Sequence, residues 1–134
     1  MSDNARVGIV LVSHSSALAE GAAEVAAQVG GGAAVIVPAG GTDDGGIGTS
    51  AAKIRAALLA AATGAGVLVL PDLGSSVLTV RALLTEPDGL PEPVVLADAP
   101  FVEGAVAAAV AAAVGGDIKA VQAAAEEARG VRKL

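Results

Sequence analysis

Four short apolar runs, Val7–Val12, Ala33–Val37, Val67–Leu70 and Val94–Leu96, punctuate the chain, and each is continuous rather than alternating. A strand covered on both faces needs apolar residues at successive positions, so these runs predict buried parallel strands. The segments between them carry helical spacing. Leu18, Ala22, Val25 and Val29 form one apolar stripe, with Glu20, Glu24 and Gln28 on another face. A second helix is predicted from about Thr49 to Ala62, with Ile54, Leu58 and Ala61 turned inward and Lys53 and Arg55 outward. A third, about Ser76 to Leu84, carries Val77, Val80 and Leu84 and stops before Pro87. After the fourth run, helices at roughly Val102–Val114 and Asp117–Arg129 close the chain, with Asp117 as N-cap and Gly130 as stop. Gly30–Gly32, Gly64–Gly66 and Gly115–Gly116 are the breaks between elements.

This alternation predicts an α/β fold: a doubly wound parallel four-stranded sheet, order 2-1-3-4, with right-handed crossovers and helices on both faces. At 134 residues, with no internal repeat and no linker, residues 1–134 read as one domain. The ligand crevice of such a sheet lies at the carboxyl ends of its strands, near the switch in strand order.

Composition narrows the function. Aromatic residues make up only 1% of the chain, so Ala and Val must build the core, and no rings are available to stack on a large flat cofactor. The net charge of −6, without a basic cluster before the last residues, argues against nucleic acid. The absence of cysteine excludes disulfides, thiolate metal sites and thiol catalysis. The polar start, Met1 to Arg6, lacks the order of a signal peptide, which predicts a cytoplasmic protein. A mean hydropathy of +0.69 raises the question of membrane insertion. The longest Ala/Val stretch, Ala105 to Val114, is too short to span a bilayer, and Glu103 and Asp117 bracket it.

Three polar, glycine-containing segments converge on the predicted crevice: Ser13–Ser16, Ala39–Ser50 and Asp72–Ser76. The first holds His14, the only histidine, directly after strand one. A histidine there can serve as a base, a metal ligand or a phosphoryl acceptor, or it can merely cap the following helix. Backbone N–H groups of Ser15, Ser16 and the first helical turn are expected to face the crevice and favour an anion. With strand three beside strand one, Asp72 can lie next to His14, where a carboxylate on one ring nitrogen leaves the other free to attack. An ordinary turn residue after Pro71 is the competing reading of Asp72. Ser75 and Ser76 are placed to donate to phosphate oxygens or to cap the next helix. In the long middle loop, Ile47-Gly48-Thr49 suggests a close backbone approach and a hydroxyl N-cap on the second helix.

Other chemistries fit less well. There is no Walker P-loop and no G-x-G-x-x-G after a strand. Leu73-Gly74-Ser75-Ser76-Val77 is not the G-x-S-x-G elbow of a Ser-His-Asp hydrolase. One histidine is too few for a zinc site, and Asp43 and Asp44 would hold a hard cation only weakly. No acidic pair follows strand one, as an aspartyl-phosphate receiver would need.

Three phrases in this order and spacing, Val10-Leu11-Val12-Ser13-His14-Ser15, Gly40-Gly41-Thr42-Asp43 with Ile47-Gly48-Thr49, and Leu70-Pro71-Asp72-Leu73-Gly74-Ser75, carry a resemblance. Together with Ala99-Pro100-Phe101-Val102-Glu103-Gly104, they resemble the phosphotransfer-subunit family (DhaM) of phosphoenolpyruvate-dependent dihydroxyacetone kinase, of the mannose-class enzyme IIA fold. The resemblance covers essentially the whole chain. It implies a homodimer whose His14 accepts a phosphoryl group on Nε2 from the phosphocarrier HPr. The group then passes to ADP on a partner subunit, and the ATP formed there phosphorylates dihydroxyacetone on a third. It implies Asp72 as the partner of the other ring nitrogen, and Ser15, Gly48, Thr49, Gly74 and Ser75 as phosphate- or partner-contacting positions. No metal and no nucleotide of the subunit's own are implied. Fused HPr-like and enzyme I-like domains, present in some members, do not fit in this length, so the donor is expected to be a separate protein. A mannose-class sugar-transport IIA domain, a phosphorylatable regulatory module and a small α/β chelatase are the competing readings.

Overall fold

A computed structural model describes residues 5–134, so the reading of the first residues of the chain lies largely outside the described residues. The elements run β1 (Gly8–Ser13), α1 (Ser16–Val29), β2 (Val35–Gly40), α2 (Ala51–Ala61), β3 (Val67–Pro71), α3 (Gly74–Leu84), β4 (Val94–Leu96), α4 (Phe101–Ala113) and α5 (Ile118–Glu127), with a 3-10 turn over Ala128–Gly130. All strand pairs are parallel, and the sheet order is β2-β1-β3-β4. The fold class read from the sequence therefore holds.

The apolar strands divide their side chains between two faces, as a period of two demands. Ile9, Leu11, Leu68 and Leu70 pack with α1, α4 and α5, whereas Val10, Val12, Val67 and Val69 pack with α2 and α3. β1 lies between β2 and β3, and its residues are buried throughout. Alanine sets the spacing of the helices. Ala22, Ala23 and Ala26 of α1 share one core with Ala105, Ala108, Ala109 and Ala112 of α4, so these two helices approach closely. On the other face, a Cβ built on Gly8 would fall 2.0 Å from the Ala61 carbonyl oxygen; only a glycine lets α2 lie that near β1.

Several expectations need correction. The apolar stripe of α1 is only partly its core face: Ala22 is buried, but Leu18, Val25 and Val29 are exposed, and the small residues Ala19, Ala23 and Ala26 are buried in their place. Tight helix packing rewards small side chains here over large ones. β2 runs on through Pro38 to Gly40, past the end of its aliphatic run, because it is an edge strand and can accommodate a residue without an N–H. α2 begins at Ala51 with Ser50, not Thr49, as N-cap: the Ser50 hydroxyl accepts from Lys53 N at 3.1 Å. Lys53 and Arg55 are half-buried, donating to the carbonyls of Gly40 at 3.2 Å and Asp88 at 2.9 Å. α3 starts at Gly74, which leaves Ser76 inside its first turn. Asp117 does cap α5, accepting from Ala120 N at 2.9 Å. No helix among the described residues is long and apolar enough to cross a membrane.

Candidate functional site

The parallel register aligns Val12 with Pro71, so the two residues leaving β1 and β3, His14 and Asp72, emerge side by side. The Asp72 amide donates to the Val12 carbonyl at 2.9 Å and carries the pairing one residue beyond the strand. On the other side, Gly40 must approach the turn after His14, since a Cβ there would sit 2.3 Å from the Ser15 carbonyl oxygen. The imidazole of His14 is 22% exposed, whereas the Asp72 carboxyl group is only 8% exposed.

That carboxylate is surrounded by donors. Its Oδ1 accepts from His14 Nδ1 at 3.0 Å, the Ser76 hydroxyl at 2.7 Å and the Leu73 amide at 2.7 Å. Its Oδ2 accepts from the Ser13 hydroxyl at 2.9 Å and the His14 amide at 3.0 Å. Burial pushes the Asp72 pKa up, but the bonds from Ser76, the His14 amide, the His14 ring and Ser13 outweigh it and hold the pKa at about 2. Asp72 is thus an acceptor at neutral pH. The ring proton belongs on Nδ1, and Nε2 is left with the lone pair. At 2.7 Å from Nε2 stands the exposed Ser75 hydroxyl, which donates to it.

Of the residues singled out in the sequence, His14, Asp72 and Ser75 meet directly, and Gly74 opens α3 next to Ser75. Gly48 reaches the site through its backbone: its N–H donates to the His14 carbonyl at 2.9 Å, and its φ of +145° is one that glycine accepts. Thr49 is not at the ring, because its hydroxyl pairs with that of Thr79 on α3 at 2.7 Å. Ser15 is spent on local structure. Its hydroxyl caps α1 by accepting from Leu18 N at 3.1 Å, and its N–H donates to the Ser13 hydroxyl at 3.0 Å, so that amide does not face the crevice. Ser76 neither caps α3 nor opens to the crevice; it is buried and donates to Asp72.

Ser13 and Ser76, both fully buried, are the partners of Asp72 that sequence reasoning missed. A signal existed for Ser13, since it is the sole polar residue of β1. Asp43 accepts from the Ser50 hydroxyl, and Asp44 accepts from the Thr42 hydroxyl at 2.5 Å and the Gly46 amide at 3.3 Å. Both carboxylates shape the loop, and the described residues contain no cluster of three metal-ligating side chains. A groove of about 350 Å³ runs from Asp72 past Leu73, Gly74 and Arg81 to Asp98. A larger one of about 940 Å³ lies between α4 and α5, lined by Val102, Val106 and Val131, and none of its residues belongs to the site.

A nucleophilic lone pair, a carboxylate behind it and a hydroxyl in front suit a group that is gained and lost at Nε2. The chain is also similar to known proteins. The family model EIIA-man, described as PTS system fructose IIA component, matches residues 8–122. The phosphoryl donor subunit DhaM of the PEP-dependent dihydroxyacetone kinase of Escherichia coli (strain K12) is 42% identical over 120 residues, 86% of this chain and 25% of that protein. The subunit of the same name from Pantoea ananatis is 40% identical over 119 residues, again 86% of this chain and 25% of that protein. This chain therefore spans about a quarter of the length of these relatives. DhaM of dihydroxyacetone kinase 2 from Listeria innocua is 35% identical over 105 residues, covering 78% of this chain and 84% of that one. Among solved structures, the crystal structure of EF1359, a protein of unknown function, superposes with a TM-score of 0.78 at 35% identity, over 91% of this chain and 94% of that one.

Proposed function

The chain belongs to the EIIA-man family of PTS system IIA components, and from that membership we propose that it is the phosphohistidine relay subunit of a PEP-dependent dihydroxyacetone kinase. In this reading His14 Nε2 takes a phosphoryl group from HPr and gives it to ADP on a nucleotide-binding partner subunit. The ATP regenerated there supports phosphorylation of dihydroxyacetone. The observation that carries the reading is the His14 ring itself, tied to Asp72 through Nδ1 and turned through Nε2 to the exposed Ser75 hydroxyl. The relatives' names supply the acceptor system.

The chemistry is in-line displacement with little demand for proton movement. The Nε2 lone pair forms the new bond to phosphorus, while the bond from phosphorus to the donor breaks and its electron pair leaves with the donor. The ring, still protonated on Nδ1, becomes formally positive, and the Asp72 carboxylate 3.0 Å away offsets that charge. Ser75 turns from Nε2 to a phosphoryl oxygen, and Gly74, at the start of α3, adds the positive end of that helix. In the second half, an oxygen of the ADP β-phosphate attacks phosphorus, and the electron pair of the P–N bond returns to Nε2. No metal or nucleotide of the chain's own enters this scheme; ADP and ATP stay on the partner. A homodimer acting in the cytoplasm completes the proposal.

The test is incubation of the purified chain with phosphoenolpyruvate, enzyme I and HPr, followed by intact-protein mass spectrometry. An acid-labile phosphate on the wild type and none on His14→Gln is expected. Equal labelling of both proteins, or of neither, refutes the relay. ATP formation on adding ADP and the nucleotide-binding subunit separates this kinase role from a sugar-transport or purely regulatory one.

A further inference from the structure

The phosphoryl relay explains His14, Asp72 and Ser75, but not why two serines are buried beneath them. Both Ser13 and Ser76 are fully inaccessible. Each donates its hydroxyl proton to Asp72, and to different oxygens: Ser13 to Oδ2 at 2.9 Å, Ser76 to Oδ1 at 2.7 Å. With the His14 ring, the His14 amide and the Leu73 amide, they bring five donors to a group with about four lone-pair sites. A carboxylate needs far fewer bonds to be satisfied in a partly exposed crevice. An excess of donors does two other things. It removes the freedom of the carboxylate to rotate, and it lowers its basicity by drawing its charge in several directions.

Ser76 has a second relation to the ring. Its oxygen lies 3.3 Å from His14 Nδ1, so with its proton committed to Asp72 its lone pair also faces the Nδ1 proton. Ser13 is tied in turn, accepting from the Ser15 amide at 3.0 Å, which fixes its hydroxyl proton towards Asp72. The two serines come from opposite walls, β1 and α3, and close on the carboxylate between them.

We propose that Ser13 and Ser76 are positioning residues of the relay: they hold the Asp72 carboxylate in one orientation against His14 Nδ1, so that the ring keeps its proton there and presents Nε2 throughout the transfer cycle. The consequence is chemical. When phosphorus bonds to Nε2, the ring becomes positive, and a carboxylate free to rotate would leave that charge and the Nδ1 proton without a fixed acceptor. A ring that kept its charge departs as a neutral imidazole when the P–N bond breaks; a ring that lost its proton would have to depart as an anion. The clamp keeps the phosphoryl group easy to pass on, and it confines attack to Nε2 by holding Nδ1 protonated. Atoms balance without any proton entering or leaving: one bond to phosphorus forms, one breaks, and the Nδ1 proton is a spectator.

The inference rests on the relay reading for its kinetic part, but its central observable does not. ¹⁵N NMR of the unphosphorylated chain at mildly alkaline pH reports which ring nitrogen carries the proton, with no donor protein present. The wild type is expected to be almost wholly the Nδ1–H tautomer. Ser76→Ala and Ser13→Ala should each shift the population towards Nε2–H, and the double variant further. Rapid-quench transfer from phosphorylated HPr should slow by about tenfold or more in the double variant, the usual scale for a misplaced reacting group. Ser13→Thr, which keeps the hydroxyl, should restore the wild-type tautomer. If the double variant does not fold, the single variants decide, with folding checked by amide spectra. Slower transfer with an unchanged tautomer, or wild-type tautomer and rate together, overturns the proposal. A tautomer shift in a chain that HPr never phosphorylates would support the clamp and refute the relay.

Discussion

Replacing Asp72 by Asn tests the site most directly, because the shape is kept and the charge is lost. In the wild type Oδ1 faces the Leu73 amide at 2.7 Å and Oδ2 faces the His14 amide at 3.0 Å. Either orientation of the Asn side chain sets its NH2 against one of these backbone N–H groups, which cannot turn away. The fold should suffer: the Asp72 pKa falls from 3.8 unfolded to about 2 in place, a preference for the ionised form of about 2 kcal/mol. Transfer should suffer separately. The bond from the positive ring to Asp72 is charge-assisted and worth about 1.5–3 kcal/mol. At about 1.4 kcal/mol per decade, its loss slows phosphorylation of His14 by about 10- to 100-fold. The measurement is the single-turnover rate of transfer from phosphorylated HPr, paired with the urea midpoint at neutral pH. An Asn variant that transfers at the wild-type rate would refute the assignment of Asp72, whatever its stability.

Two further outcomes follow from the same geometry. Because the Asp72 pKa is lowered on folding, its contribution to stability is present above about pH 3.8 and is lost as pH falls towards 2; the acid drop in urea midpoint should therefore be shallower in Asp72→Asn, and parallel curves would contradict this. Gly8→Ala places a methyl 2.0 Å from the Ala61 carbonyl oxygen, so α2 must move off β1 at a cost of about 1–3 kcal/mol or more; an unchanged urea midpoint would show the packing to be looser than described.

The fold was largely legible in the chain. Continuous runs such as Val7–Val12 and Val67–Leu70 can be buried only in a sheet covered on both faces, and the helical segments between them leave the parallel alternative alone. The misreadings have a common cause. Leu18, Val25 and Val29 look like a core stripe by hydrophobicity, but volume decides the buried face, and the α1–α4 contact is built from alanine. β2 outran its apolar residues because an edge strand tolerates Pro38. Thr49 looked like a cap, but the loop turns one residue later and gives that place to Ser50.

At the site the division is sharper. Local sequence was enough to place His14 after the first strand and Asp72 after the third, because strand ends and helix starts are written in runs of nearby residues. The order 2-1-3-4 then made them neighbours. What local sequence could not carry is the environment of Asp72, whose donors come from β1, from the turn after it and from α3, separated along the chain by 58 or 59 residues in three of the five bonds. A serine in a strand and a serine in a helix look alike in the chain whether they face water or a carboxylate. Only the parallel register of β1 and β3, together with the docking of α3, turns Ser13 and Ser76 inward onto the same group. The sequence alone determined which residues could react; tertiary structure decided which atom of His14 faces Asp72 and which faces Ser75, because hydrogen bonds act over about 3 Å in space and not along the chain.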